Sequence, residues 1–404
     1  MIFKDRNFVT FWVGSFVSGL GDAMFLLALS WMVVRATGSS ATLGLLMATM
    51  SLPQILFSLM GGVLIDRLDP KHFMMASDAV RLAAMLFLVA VSSSQGMPPI
   101  WSLFVVALVF GTMDAGFWPA AAKLKQYLVV PDQYVQSNGS LMVASQTTQI
   151  IGPALAGMLA ASGHFDVFIA LNAATYGVSI ACLTFVTATE KADAPVPAHT
   201  ASVLSGMTQG IRYVLQTPLL VVTSLAAFVV NACLATVMVA IPLLAHQLHV
   251  GSQGFGFMMA ALGVGGALGA VVFAVIRLRR PTPRMTLFAT GLEGVLFIML
   301  GLAQHLALVV LVLGSVGLVE VAVNTIAPSV NQRIIPARVF GRVISVTIVL
   351  MSGSEPMAKA ASGWIIAQIG VSPVLWWAGA LEIAISTVAF FVPVVRTYST
   401  ADQQ

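Results

Sequence analysis

Apolar residues run along this chain in long unbroken stretches, not in alternation. The stretches 8–34, 41–65, 73–93, 99–121, 136–161, 165–187, 218–244, 253–276, 286–303, 306–328, 342–366 and 374–395 lie close to the ~20 residues a helix needs to cross a bilayer. Continuous runs predict helices, because the strands of a membrane barrel alternate apolar and polar positions. Short polar punctuation separates most of them, such as Ser92-Ser93-Ser94-Gln95-Gly96 and Gly370-Val371-Ser372-Pro373. The longest interruption, 188–216, carries Glu190, Lys191, Asp193 and His199, then an amphipathic stretch from Ser202 to Gln216. The pattern predicts an all-α membrane protein of twelve transmembrane helices. Its expected parts are a six-helix bundle over 1–187, a cytoplasmic linker with an amphipathic helix over 188–216, a second six-helix bundle over 217–396 and a tail over 397–404.

The halves resemble each other at an offset of about 205 residues, so the two bundles are expected to be pseudo-symmetric. Gly111-Thr112-Met113-Asp114 in the fourth span is answered by Gly317-Leu318-Val319-Glu320 in the tenth. Lys123, Lys125 and Pro131 after the one correspond to Arg333, Pro336, Arg338 and Arg342 after the other, and Arg67-Leu68 to Arg277-Leu278. With the N-terminus inside, all of the 19 lysines and arginines except Arg35 and Lys359 fall on the inner side, if Arg81 is counted with the first turns of the third span. That imbalance predicts that both termini are cytoplasmic.

Composition settles the class. The chain of 404 residues is 58% hydrophobic and 8% charged, against roughly 25% charged in soluble domains, so it is an integral membrane protein. Cys182 and Cys233 lie in apolar stretches, in neither a CxxC nor a metal-ligand pattern. Met1 to Asn7 run into the first span with no small-residue cleavage site, so no cleavable signal peptide is expected. No GxxxxGK[ST], HExxH or GxSxG occurs, which leaves an ion gradient to drive any uphill transport and gives no support to enzyme activity.

Ionisable side chains in hydrocarbon cost at least ~2.5–3.5 kcal/mol each, so each needs a reason. Asp22, Asp114, Glu293, Glu320, Glu355 and Glu382 lie within spans, against Lys359 as the one cation counted there. Asp22, Asp114 and Glu320 are candidates for proton coupling, since a buried carboxyl is pushed toward physiological titration. Each also fits a neutral carboxyl that only fixes helix packing. Glu355 and Lys359 stand one turn apart in the favourable order; they read either as a structural ion pair or as a coupling pair that a proton or substrate breaks. Glu293 and Glu382 read as packing groups of peripheral helices.

The loop after the second span reads Gly62-x-x-x-Asp66-Arg67-Leu68-Asp69-Pro70-Lys71. It resembles the G-x-x-x-D-[RK]-x-G-[RK]-[RK] signature of the major facilitator superfamily, with Asp69 in place of the glycine and Pro70 in place of a basic residue. Gly152-Pro153-Ala154-Leu155-Ala156-Gly157 is similar to that superfamily's antiporter motif, with Ala156 for the first closing glycine. Arg6-Asn7-Phe8, Phe11-Trp12, Ser18, Gly21-Asp22 and Ala28 resemble the macrolide-efflux-type branch of drug:proton antiporters, which also includes siderophore exporters. The resemblance implies that Gly62, Asp66, Arg67 and Lys71 form a gating loop and that Gly152, Pro153 and Gly157 form an antiporter element. It implies a cavity between the halves, for which Phe25, Trp31, Phe117, Trp118, Phe228, Asn231 and Asn324 are candidate lining residues.

The expected function is proton-coupled efflux of amphipathic drugs by alternating access, from a monomer in the bacterial cytoplasmic membrane. The excess of intramembrane acids favours cationic or neutral cargo. An exporter of a siderophore, lysophospholipid or other metabolite is the alternative. The expected partners are a small amphipathic substrate and the lipid bilayer; no cofactor, metal or nucleic acid is expected, the proton gradient being the energy source.

Overall fold

The computed structural model describes residues 2–66, 68–92, 98–130, 133–161, 165–187, 203–276, 281–336 and 339–396. Every regular element among them is helical. After a short turn at Ile2–Lys4 come α1 (Arg6–Thr37), α2 (Ser40–Asp66), α3 (Pro70–Val91), α4 (Ile100–Leu128), α5 (Tyr134–Ala161) and α6 (Phe165–Phe185). Then follow α7 (Val203–Gln216), α8 (Pro218–Gln247), α9 (Gly251–Val275), α10 (Pro283–Leu302), α11 (Leu306–Ile334), α12 (Phe340–Ser352), α13 (Glu355–Ile369), α14 (Val371–Phe391) and α15 (Pro393–Arg396). Among the described residues, nine helices are long and apolar enough to cross a membrane.

The helix ends follow local chemistry. Asp5 caps α1, its carboxylate accepting from the Asn7 and Phe8 amides, and Gly38 closes that helix at φ 61°, in the left-handed region glycine favours. Asp69 caps α3 with Pro70 at the first helical positions. This gives the departure from the superfamily loop pattern a physical account, since an aspartate–proline pair starts a helix at that point. Helices α4 and α11 run on past the apolar stretches that predicted them, into polar residues such as Lys123–Gln126 and Asn331–Arg333. Hydropathy ends there, but helix propensity does not. The predicted eleventh span, 342–366, is not one helix. It breaks between α12 and α13 at Gly353-Ser354, where Pro356 lacks the amide that would continue the ladder.

The chain forms two compact units, one of Met1–Ala194 with Ala245–Ala260, the other of Pro195–Leu244 with Ala261–Gln404. In the first, α1 packs on α5 and α6, α2 on α4, and α3 on α4 and α6, around Phe8, Phe11, Met74, Phe117, Leu124 and Leu183. In the second, α10 packs on α14 and α11, and α7 on α12. The repeated Gly-x-x-acid segments make equivalent contacts in both. A Cβ on Gly111 would stand 1.9 Å from the Met50 carbonyl oxygen of α2, and one on Gly317 would stand 2.0 Å from the Leu262 carbonyl oxygen of α9. Both glycines let two backbones touch, so the internal repeat is a repeat of packing as well as of letters.

Candidate functional site

A polar cluster lies at the middle of the first unit, where α1, α3, α4 and α6 each contribute one or two side chains. At its centre is Arg81, midway along α3 and fully buried. Its Nη2 bonds the Asp114 carboxylate of α4. Its Nη1 donates to Asp78 Oδ1, one turn earlier on α3, at 3.2 Å and lies 3.6 Å from Asp22 Oδ2 of α1. Tyr176 of α6 donates its hydroxyl to Asp22 Oδ1 at 2.8 Å, and Ser18 donates to Asp78 Oδ1 at 3.0 Å. The guanidinium stands over the Phe117 ring, 4.8 Å from its centroid, with Phe110 and Tyr176 at 5.9 Å.

Glycines bring these groups together. Gly21 lets α1 approach α6 so closely that a Cβ there would meet Thr175 Oγ1 at 2.2 Å. Asn172 ties the same point by donating to the Gly21 carbonyl at 2.7 Å. From the other side Gly152 of α5 abuts Ala23, its Cβ site 2.7 Å from the alanine methyl. Asp22 is thus held between two close helix crossings.

Burying an unpaired guanidinium costs several kcal/mol, and surrounding carboxylates and ring faces offset that cost. Arginine suits the position because its fork bonds two acceptors at once and stays charged. The cluster has an inner and an outer layer. Side chains of Arg81 and Asp78 are 0% exposed, while those of Asp22 and Asp114 are 23% and 18% exposed. Three carboxyl groups surround one permanent cation, so full ionisation leaves two negative charges unbalanced. Only protons or a positive guest cancel them.

Two expectations need correction here. Arg81 is not a loop cation that orients the chain; it is the buried partner of three aspartates. Lys359 is therefore not alone among intramembrane cations, and Asp78 joins the intramembrane acids. Sequence reasoning missed Arg81, Asp78 and Tyr176. The available signal was the spacing of Asp78 and Arg81, three apart on one helix face within an apolar stretch.

In the second unit, Glu320 is half-buried near the middle of α11 and shares a side-chain hydrogen bond with the exposed Asn324. Glu355 and Lys359 face each other across one turn of α13, Nζ to Oε2 at 3.1 Å. Phe25 is buried against Phe110, with ring centroids 3.9 Å apart, and Trp31 is buried against His246 and Phe255. Phe117 is buried beneath Arg81, while Trp118 and Phe228 are exposed. Asn231 donates to the Ala227 carbonyl of its own helix at 2.8 Å. Of the gating loop, Lys71 donates to the Val186 and Thr184 carbonyls at 2.7 and 3.2 Å, a cation at the end of α6. Arg67 lies outside the described residues, as do the side chain of Asp66 and the surroundings of Gly62. Pro153 sits within α5, and a Cβ on Gly157 would meet the Ser252 carbonyl at 2.7 Å.

The fold is that of known transporters. It superposes on a crystal structure of the nucleoside transporter NupG with a TM-score of 0.80 at 10% identity, covering 95% of this chain and 99% of that one. A D-xylose-proton symporter gives 0.71 at 11% identity, over 98% and 99%. These likenesses define the fold. The chain belongs to the transmembrane secretion effector family, which it matches over residues 2–404. It is 23% identical to the multidrug efflux pump Tap of Mycobacterium tuberculosis (strain ATCC 25618 / H37Rv), across 96% of this chain and 93% of that protein. It is 28% identical to macrolide efflux protein A of Streptococcus pyogenes, across 44% and 43%. The protein is thus a multi-pass membrane transporter and not an enzyme.

Proposed function

We propose that this transporter exports amphipathic cationic or neutral molecules from the cytoplasm in exchange for protons, by alternating access, with both termini cytoplasmic. One observation carries the reading: Arg81 balances only one of the three carboxylates around it, and the two that reach toward solvent are Asp22 and Asp114. With both ionised, the outer layer attracts a positive or strongly dipolar guest. A proton on one of them halves that charge and weakens the hold on the guest, and a proton on each removes it and releases the guest. Proton and cargo therefore compete for one charge deficit, which is the linkage that exchange needs. Drug-efflux relatives over the full chain length support this cargo class.

Everted membrane vesicles energised by an imposed pH gradient test it, with ethidium as the cationic probe. The wild type is expected to accumulate ethidium and to lose that uptake when the gradient collapses. Asp22→Asn and Asp114→Asn are expected to abolish the gradient-driven part, as is Glu320→Gln if its carboxyl also carries protons. Gradient-driven uptake unchanged in all three variants overturns the reading.

A further inference from the structure

The second unit holds an acidic cluster of a different kind. Glu293 of α10 and Glu382 of α14 are 2% and 0% exposed. Glu293 Oε1 and both carboxyl oxygens of Glu382 are buried without a hydrogen-bond partner. The two helices cross tightly at this level, since a Cβ on Gly379 would stand 2.3 Å from the Gly294 carbonyl oxygen. One turn away the interface is satisfied, with Thr290 and Ser386 hydroxyls 2.7 Å apart. That bonded pair separates the orphaned carboxyl oxygens from the other unpartnered side chain of α10, the Thr286 hydroxyl.

Among the described residues, no cation is in interaction range of either acid. Glu293 lies within electrostatic range of Glu320 on α11 and of Glu382 on α14, and Cys233 of α8 is in range of both buried acids. The charged groups of α13, Glu355 and Lys359, pair with each other. Arg284 near the start of α10 donates to the Val395 carbonyl of α15, and Arg396 stands at the end of α15, both turns away from the acids. A bare carboxylate in such a place is too costly to persist and takes up a proton instead. Placement points the same way. Glu382 follows Tyr176 by 206 residues, the spacing that also separates Glu320 from Asp114. Two of the three acids of the second unit, Glu320 and Glu382, thus repeat positions of the first unit's cluster.

We propose that Glu293 and Glu382 form a proton-binding site in the second unit, filled through the half-buried Glu320 and separate from the arginine cluster of the first. Water gives a proton to the Glu320 carboxylate; Glu320 passes it to an ionised Glu293 or Glu382 and is itself left ionised. No other bond is made or broken. The ligand is the proton, because the pair is closed to larger guests. The proposal deepens the exchange reading, yet the charge state of these groups is measurable without any transport.

Infrared spectra of the protein in lipid provide the test. At neutral pH the wild type is expected to show a carbonyl band of buried carboxylic acid. Glu293→Gln and Glu382→Gln should each remove part of it, and the double variant all of that part. Raising the pH should bleach the band, and Glu320→Gln should slow the bleaching. A double-variant spectrum equal to the wild type in this region overturns the proposal. Loss of the band on adding sodium chloride at fixed pH also overturns it, by showing a metal-cation site. A second measurement needs no variant: a hydrophobic carbodiimide, mapped by peptide mass spectrometry, should modify Glu293 or Glu382 in wild-type protein at neutral pH and not at alkaline pH. Equal modification at both pH values counts against the proposal. Normal labelling with no ethidium exchange would leave this site standing and overturn only the transport reading.

Discussion

Both units place ionisable side chains near the middles of their helices, yet neutralise them by different means. In the first, a permanent guanidinium sits among three carboxylates and three aromatic rings. In the second, three carboxyl groups gather and, among the described residues, no cation is in interaction range of Glu293 or Glu382. A fixed cation balances one of its neighbours and leaves the remaining charge for a positive guest. Acids without one hold protons and exclude everything larger. The duplicated scaffold thus has a cluster suited to cargo and a cluster suited to protons.

The largest test of that contrast is to remove the fixed cation. Arg81→Leu leaves Asp22, Asp78 and Asp114 facing one another. Breaking a buried ion pair by deleting one partner costs about 3–5 kcal/mol. The variant is expected to show a large drop in thermal midpoint in detergent. Glu382→Gln keeps the shape of a neutral acid and should move the midpoint little. Equal drops in the two variants would erase the distinction between the clusters.

The helix crossings beneath the clusters come next, and here the units should behave alike. Gly111→Val and Gly317→Val each drive a side chain into a backbone carbonyl. Overpacking of this kind costs about 1–3 kcal/mol. Similar losses of folded yield, read by fluorescence-detected size exclusion, are expected. A large loss in one and none in the other would mean that the repeat in sequence is not a repeat in packing.

Much of this was legible in the chain. Most predicted spans coincide with one helix each, because continuous hydrophobicity and helix formation coincide in lipid; the eleventh breaks at Gly353-Ser354 and the twelfth, 374–395, at Val392 between α14 and α15. The eleventh misled because Gly353 and Ser354 are apolar enough to pass a hydropathy window, while the break depends on backbone conformation. The pairing of Glu355 with Lys359 and the equivalence of Asp114 with Glu320 were visible from spacing alone. Arg81 was not, because a cation about ten residues inside a helix that starts at Pro70 can be read as belonging to either end. Its role emerges only when α1, α4 and α6 bring Asp22, Asp114 and Tyr176 to it, and contacts across helices leave no trace in local pattern. Glu293 and Glu382 were read as peripheral for the same reason: their burial comes from the α10–α14 crossing, set by Gly294 and Gly379.

A finer probe of the cargo cluster is Tyr176→Phe, which removes the hydroxyl that Asp22 accepts and nothing else. A hydrogen bond to a charged group contributes about 1.5 kcal/mol or more. The expected result is roughly tenfold weaker ethidium binding, since 1.4 kcal/mol is a factor of ten, with helix packing intact. Tryptophan fluorescence quenching on titration with ethidium measures it. Binding equal to the wild type would mean that Asp22 does not need to be ionised to receive the guest.

The smallest effect lies outside the membrane-spanning part, at the start of α3. Asp69 caps that helix, accepting from the Lys71 amide at 2.9 Å and bonding the His72 ring. Slight burial pushes its carboxyl up, but the His72 bond and the Lys71 and His72 amides outweigh that and hold it below the usual carboxylate range. A depressed folded value means that the stabilisation is complete above the ordinary range and is lost as pH falls through the lower folded value. Replacing such a cap by alanine costs about 1 kcal/mol. Asp69→Ala should therefore speed amide exchange in the first turn of α3 at neutral pH, with little change in acid. Asp69→Asn keeps a cap without a charge, so its exchange should lose the added pH dependence while staying slow. Because Arg81 is carried on the same helix, fraying confined to that first turn should leave the cluster's ion pairs in place, and ethidium binding by Asp69→Ala should match the wild type. Weaker binding would show that the cap also positions Arg81.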